Sequence, residues 1–189
     1  MSEIIKTAAA LFVITLVAAI FLAFVYDITK EPIASQRQNV RDIAMREISP
    51  AASNFEPLEF PGQFKDKITS LYFGINDGET VGYIIGVSPR GYSGKIDMLI
   101  GIDTDGVITG VKIVQHTETP GLGARVTNEE FIGQYTGRSG FLSIVKIPSE
   151  ENEIQAITAA TITGNAVTQG VNDALEFFKQ HLAEDVDRE

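Results

Sequence analysis

The stretch "ITSLYFGINDGETVGYIIGV", Ile68–Val87, decides the fold. Its two halves are rich in β-branched and aromatic residues, and Asp77-Gly78 between them is a pair that favours the tight turn of a hairpin. The same pattern recurs downstream, where "KIDMLIGID" (Lys95–Asp103) and "GVITGVKIVQH" (Gly106–His116) meet at Asp105-Gly106. Four short strands joined by turns predict antiparallel pairing in a small α+β domain.

The helices follow from a different periodicity. Val167, Val171, Ala174, Leu175, Phe178 and Leu182 share one helical face, so "TGNAVTQGVNDALEFFKQHL" (Thr163–Leu182) is expected to close the domain. Thr127 and Glu130 have the spacing of a capping box and predict a short helix over "NEEFIGQY" (Asn128–Tyr135). Ahead of the strands, Ile28, Ile33, Val40, Ile43, Ala44 and Ile48 recur at roughly helical spacing. They predict a juxtamembrane helix in which Pro32 must stand in a first turn or mark a break. "SPAASNFEPLEFPG" (Ser49–Gly62) reads as a connection into the domain.

From Thr7 to Tyr26 the chain carries no charge. A helix of that length spans about 30 Å, the thickness of a bilayer core. A signal peptide is the competing reading, but "FLAFVYDITKEP" offers no small-x-small cleavage site, and a retained anchor is expected. The organisation expected is therefore a cytoplasmic tail at 1–6, a transmembrane anchor at 7–26, a juxtamembrane helix and linker at 27–55, a folded domain at 56–183 and an acidic tail at 184–189. Lys6 stands on one side of the anchor and Lys30, Arg37, Arg41 and Arg46 on the other, a count that would keep the domain cytoplasmic.

Composition excludes much chemistry. The 189 residues contain no cysteine, so no disulfide, thiolate nucleophile, iron–sulfur cluster or thiolate zinc site is expected. His116 and His181 are the only histidines, which gives metal chemistry little support. A net charge of −10 argues against nucleic acid as a partner, and any phosphate must be held by backbone groups, hydroxyls or a covalent bond.

Two clusters carry candidate chemistry. In "ITAATITGNAV" (Ile157–Val167), Thr158, Thr161 and Thr163 gather where a helix begins, and small Ala159 and Ala160 allow close approach to the backbone. A helix N-terminus presents unpaired N–H groups and the positive end of its dipole, which suits a phosphate. One threonine as an N-cap, with the others finishing a strand, is the plainer reading, and both stand at this point. No base lies at motif spacing from Thr161 to make it a hydrolytic nucleophile. The second cluster runs from Gly91 to Val126, where "GYSGKIDMLIGID" and "HTETPGLGARV" combine glycines with polar Thr117, Glu118 and Thr119 beside apolar Leu122. Such a surface suits a flat heteroaromatic ligand, whereas ordinary loops, with His116 as a solvated strand end, are the alternative.

The single N-terminal span, "GYSGKIDMLIGID", "HTETPGLG" and "TAATIT", in that order, resemble the FMN-binding G subunits of Rnf electron-transport complexes. They are similar, more distantly, to the C subunits of sodium-pumping NADH:quinone reductases. The resemblance covers nearly the whole chain. It implies FMN joined through its phosphate to a threonine, installed by a flavin transferase, within the motif Asp-x-x-Ser/Thr-Gly-Ala-Thr. The motif's last threonine falls on Thr161, with Thr158, Ala160 and Thr163 as neighbours of the phosphate. Glu118, Thr119, Gly121, Leu122 and Gly123 would border the ring system, with Tyr92 and Gly94 beside it. The chain departs from the motif at Gln155, where Asp is expected, and at Ala159, where Gly is expected.

The resemblance further implies an electron-carrying subunit of a ferredoxin:NAD oxidoreductase coupled to Na+ or H+ translocation, with no catalytic residue or metal of its own. Its partners would be the other subunits, the transferase and the lipid bilayer, and its domain would lie outside the cytoplasmic membrane. A stand-alone membrane-anchored flavoprotein reductase with reversibly bound FMN, or a flavin-free scaffold subunit, are the alternatives.

Overall fold

A computed structural model describes residues 2–60 and 67–183, so the acidic tail expected at 184–189 lies outside the described residues. The chain forms two compact units, Met1–Arg41 and Asp42–Glu189. The first unit belongs to helix α1, which spans Ser2–Ile48 with Pro32 inside it. It is long and apolar enough to cross a membrane. The Thr15 and Thr29 hydroxyls donate back to the carbonyls of Leu11 (3.0 Å) and Val25 (2.8 Å), the i−4 bond a threonine can make inside a helix. The first turn or break expected at Pro32 is absent: proline removes one N–H donor, and the unbroken turns on both sides hold the helix together.

In the second unit an antiparallel meander runs in the order β1 to β5. Its strands are β1 (Asn54–Pro57), β2 (Ile68–Asn76), β3 (Glu79–Val87), β4 (Asp97–Asp103) and β5 (Ile108–Gln115). The turn between β2 and β3 is formed by Asp77 and Gly78 with φ of 51° and 88°, as an Asp-Gly hairpin requires. β1 falls in the stretch expected as linker; its four residues, NFEP, are too few for a period to show and gain their strand by pairing with β2. A parallel ladder of β6 (Ser143–Val145) and β7 (Glu153–Gln155) and helix α3 (Thr161–His181) complete the unit.

The sheet is covered on both faces, which is why β3 and β4 read as nearly continuous apolar runs. One face, with Tyr83, Ile85, Met98, Ile100 and Ile102, packs against Val167, Val171, Ala174 and Phe178 of α3. The other, with Ile84 and Leu99, takes Ala44, Met45 and Ile48 from the end of α1. Ile48 settles where Gly101 and Gly110 leave room, and the Thr109 hydroxyl donates to its carbonyl at 2.5 Å. Lys112 pairs with Glu47 at 2.5 Å beside it.

The short helix α2 covers only Glu129–Ile132, after a 3-10 turn at Gly123–Thr127. The expected capping box does not form. Asn128 holds the N-cap position without a side-chain bond, and the Thr127 hydroxyl is spent on the Ala124 carbonyl at 2.9 Å. Thr127 is the last residue of the preceding 3-10 turn, so the cap position falls one residue later, on Asn128, and the Thr127–Glu130 spacing no longer frames the helix.

Candidate functional site

The β3–β4 loop, the segment after β5 and the start of α3 converge on one cleft of about 460 Å³. Its lining includes Tyr92, Glu118, Thr119, Leu122, Gly123 and the run from Ala159 to Thr163. The volume is in the range of small-molecule and cofactor clefts, roughly 300–1,000 Å³.

Helical geometry sorts the threonines. Thr163 lies one turn before Val167 on the buried stripe and is 2% exposed, its hydroxyl donating to Glu118 Oε2 at 2.7 Å. Thr161 lies two residues earlier, about 200° around the helix, and is exposed to the cleft. No side chain caps α3, because its N-cap residue is Ala160. The first N–H to find a helical partner is that of Gly164, which donates to the Ala160 carbonyl at 2.9 Å. A hydroxyl, free first-turn N–H groups and the positive end of a 21-residue helix therefore face one open space. Ala159, just ahead, has φ of 64°, a left-handed conformation that a Cβ makes costly by about 1–2 kcal/mol.

On the opposite wall the Glu118 side chain is buried, and its Oε1 accepts the Ser93 N–H at 2.9 Å. The Glu118 N–H in turn donates to His116 Nδ1 at 3.2 Å, so this histidine ends a strand with a hydrogen bond. Gly121, with φ of 77°, shapes the loop in which the Thr119 carbonyl accepts N–H bonds from Leu122 and Ala124. Gly94 is a close-approach position, where a Cβ would collide with the Thr117 hydroxyl. Gly94 and Gly121 thus shape the walls without belonging to the lining. Thr158 turns instead toward a neighbouring cleft of about 230 Å³, with Arg125, Gln134 and Gln155.

Tyr92, Leu122 and Ile162 stand at the mouth 72%, 47% and 57% exposed, an apolar rim without a cover. Sequence reasoning missed Ile162 and Ser93. Ile162 carried a readable signal, an apolar side chain in the first helical turn well off the Val167 stripe. Ser93 takes part through its backbone, which leaves no signal in side-chain identity.

A five-stranded antiparallel sheet closed by α3, with an open cleft at the start of that helix, follows the N-terminal membrane-length helix in the chain. Residues 91–176 match the FMN-binding domain family, and residues 1–48 match the RnfG N-terminal region. The chain belongs to the family of Rnf complex G subunits. It is 38% identical over 192 residues to the G subunit of the Na(+)-translocating ferredoxin:NAD(+) oxidoreductase complex of Acetobacterium woodii, covering 92% of this chain and 91% of that protein. It is 33% identical over 179 residues to the G subunit of the ion-translocating oxidoreductase complex of Methanosarcina acetivorans, covering 93% and 94%. The fold is shared with NqrC of Shewanella oneidensis, at a TM-score of 0.52 and 23% identity over 74% of this chain and 73% of that one.

Proposed function

We infer that this chain is the flavin-carrying subunit of a membrane-bound ferredoxin:NAD oxidoreductase coupled to Na+ or H+ translocation, with FMN attached through its phosphate to Thr161. The observation that carries this reading is the exposed Thr161 hydroxyl at the first position of an uncapped helix inside the cleft. The residues fit the group. First-turn N–H groups and the helix dipole suit a phosphate ester, and Tyr92, Leu122 and Ile162 suit a flat ring that must be shielded from water. The relatives' names, which describe subunits of translocating ferredoxin:NAD oxidoreductases, supply the reaction.

When bound, FMN supplies the electron-accepting and electron-donating chemistry, and the protein supplies position and surroundings. Thr161 is the tether that prevents dissociation. Thr119 and Leu122 form one wall of the ring site, and the apolar rim limits water. Attachment falls to a flavin transferase acting from the extracytoplasmic side, where the domain resides, with α1 in the bilayer. The other subunits of the complex deliver and remove the electrons. Gln155 and Ala159 are tolerated variants of the motif, because Gln155 lines the neighbouring polar cleft and Ala159 already adopts the conformation a glycine would take.

Peptide mass spectrometry on denatured protein co-expressed with a flavin transferase tests the assignment. An added mass of roughly 438 Da, FMN less one water, is expected on Thr161 and is expected to vanish in Thr161→Val. Flavin released on denaturation would leave reversible binding in place of the ester. Protein without flavin would refute the redox reading.

A further inference from the structure

Glu118 sits in the cleft wall as an acid with 5% of its surface exposed. Both its oxygens are occupied by neutral donors, Oε1 by the Ser93 N–H at 2.9 Å and Oε2 by the Thr163 hydroxyl at 2.7 Å. Among the described residues no Lys, Arg or His forms an ion pair with it. Buried acids are ordinarily paired, because removing a charge from water is costly. The surrounding backbone is shaped to this one side chain, since a Cβ on Gly91 would overlap Oε1 and one on Gly123 would overlap Oε2. Three chain segments, the β3–β4 loop, the loop after β5 and the first turn of α3, therefore meet at its carboxylate. Ser93 follows Tyr92, and Thr163 stands two residues after Thr161, so the acid fixes the cleft's aromatic rim relative to its tether.

We propose that Glu118 is a positioning residue of the flavin cleft, and that the negative charge it holds there opposes reduction of the flavin. The inference rests on the FMN reading above. Two electrons and one proton convert the oxidised ring to its reduced anion, which is one unit more negative. A buried negative charge beside the ring disfavours that gain, and a neutral residue of the same shape relieves it.

The test uses full-length protein in detergent and the variants Glu118→Gln, Glu118→Ala and Thr163→Val. In flavin-free protein, Glu118→Ala is expected to speed hydrogen exchange at the Ser93 amide at least tenfold. Glu118→Gln keeps it near the original rate, because the amide oxygen still accepts the Ser93 N–H. In flavin-loaded protein, Glu118→Gln is expected to favour the reduced form about tenfold at fixed potential, a rise of about 30 mV for a two-electron couple. Thr163→Val, which keeps the acid but removes its second donor, is expected to speed Ser93 exchange by a smaller factor and guards against a Glu118→Ala protein that does not fold. Ser93 exchange that changes in neither variant would overturn the positioning role. An unchanged or lowered midpoint in Glu118→Gln would overturn the charge effect. Original protein that takes up no flavin would refute the FMN reading and the charge effect with it, while the exchange experiment still decides the positioning role.

Discussion

Helix α3 treats its polar residues in two opposite ways. On the buried face of its middle, Thr168 and Asn172 are closed off. Asn172 clamps a backbone residue across the core, its Oδ1 accepting the Leu142 N–H at 2.9 Å and its Nδ2 donating to the Leu142 carbonyl at 2.8 Å. Thr168 gives its one hydrogen to the Gly164 carbonyl at 3.1 Å, which leaves the Tyr135 hydroxyl to donate to Thr168 at 2.8 Å. Burial pushes that tyrosine well above its usual range, so it stays neutral. At its N-terminus the same helix has no cap, an exposed threonine, an exposed isoleucine and a left-handed alanine ahead of them. Satisfied groups build a scaffold, and groups left open on that scaffold mark where a ligand completes the structure. Thr161, Thr163 and Thr168 show that residue type does not decide which treatment applies, whereas position on the helix does.

The closed half gives the largest expected effect. Asn172→Ala leaves a buried N–H and a buried carbonyl of Leu142 without partners, and a loss of about 2–4 kcal/mol is expected by chemical denaturation. A loss below about 0.5 kcal/mol, the level of ordinary surface changes, would show that the middle of α3 is not the scaffold.

The open half gives a smaller effect of opposite sign. Ala159→Gly removes a Cβ from a left-handed residue that is exposed and fills no core, so a gain of about 1 kcal/mol is expected in the thermal transition of the second unit. A destabilised Ala159→Gly would mean that the chain before Thr161 does not turn as described, and the comparison between the two ends would lose its basis.

The smallest effect lies away from both ends, at the start of β7. Backbone N–H bonds from Ser149 and Glu150 hold the Glu153 carboxyl below its usual value of 4.5. A depressed folded value means that this contribution is complete above pH 4.5 and is lost as the pH falls through the lower folded value. Ser149 and Glu150 amide resonances should therefore shift below about pH 4.5 in the original protein and stay put in Glu153→Gln. Because Glu153 stands at the surface and is only partly covered, the global melting point should follow this change little.

Much of the architecture was legible because local signals and tertiary contacts agreed. β2 occupies the run Ile68–Asn76 that its residues mark, since a β-branched run bounded by Asp77-Gly78 has one economical fold. The closing helix differs from its expected span mainly at its start, which is Thr161 rather than Thr163, because Ile162 and Thr161 lie off the buried stripe that defines the pattern. β1, β6 and β7 were not legible, since strands of three or four residues exist through their partners. Nor did the chain announce that Thr158 would turn toward Arg125 and away from Thr161, a matter of the backbone's direction at Ala159.

The sequence by itself determined the membrane-length apolar helix, the antiparallel strands, the amphipathic closing helix and the presence of hydroxyls at its mouth. These depend on period, composition and turn chemistry, which act over a few residues at a time. Tertiary structure alone decided that Glu118, Ser93 and Thr163 would meet, and that Thr161 rather than Thr158 would face the cleft. Those outcomes depend on which segments share a buried volume, and groups 25 and 45 residues apart in the chain become partners only when the sheet and helix have packed.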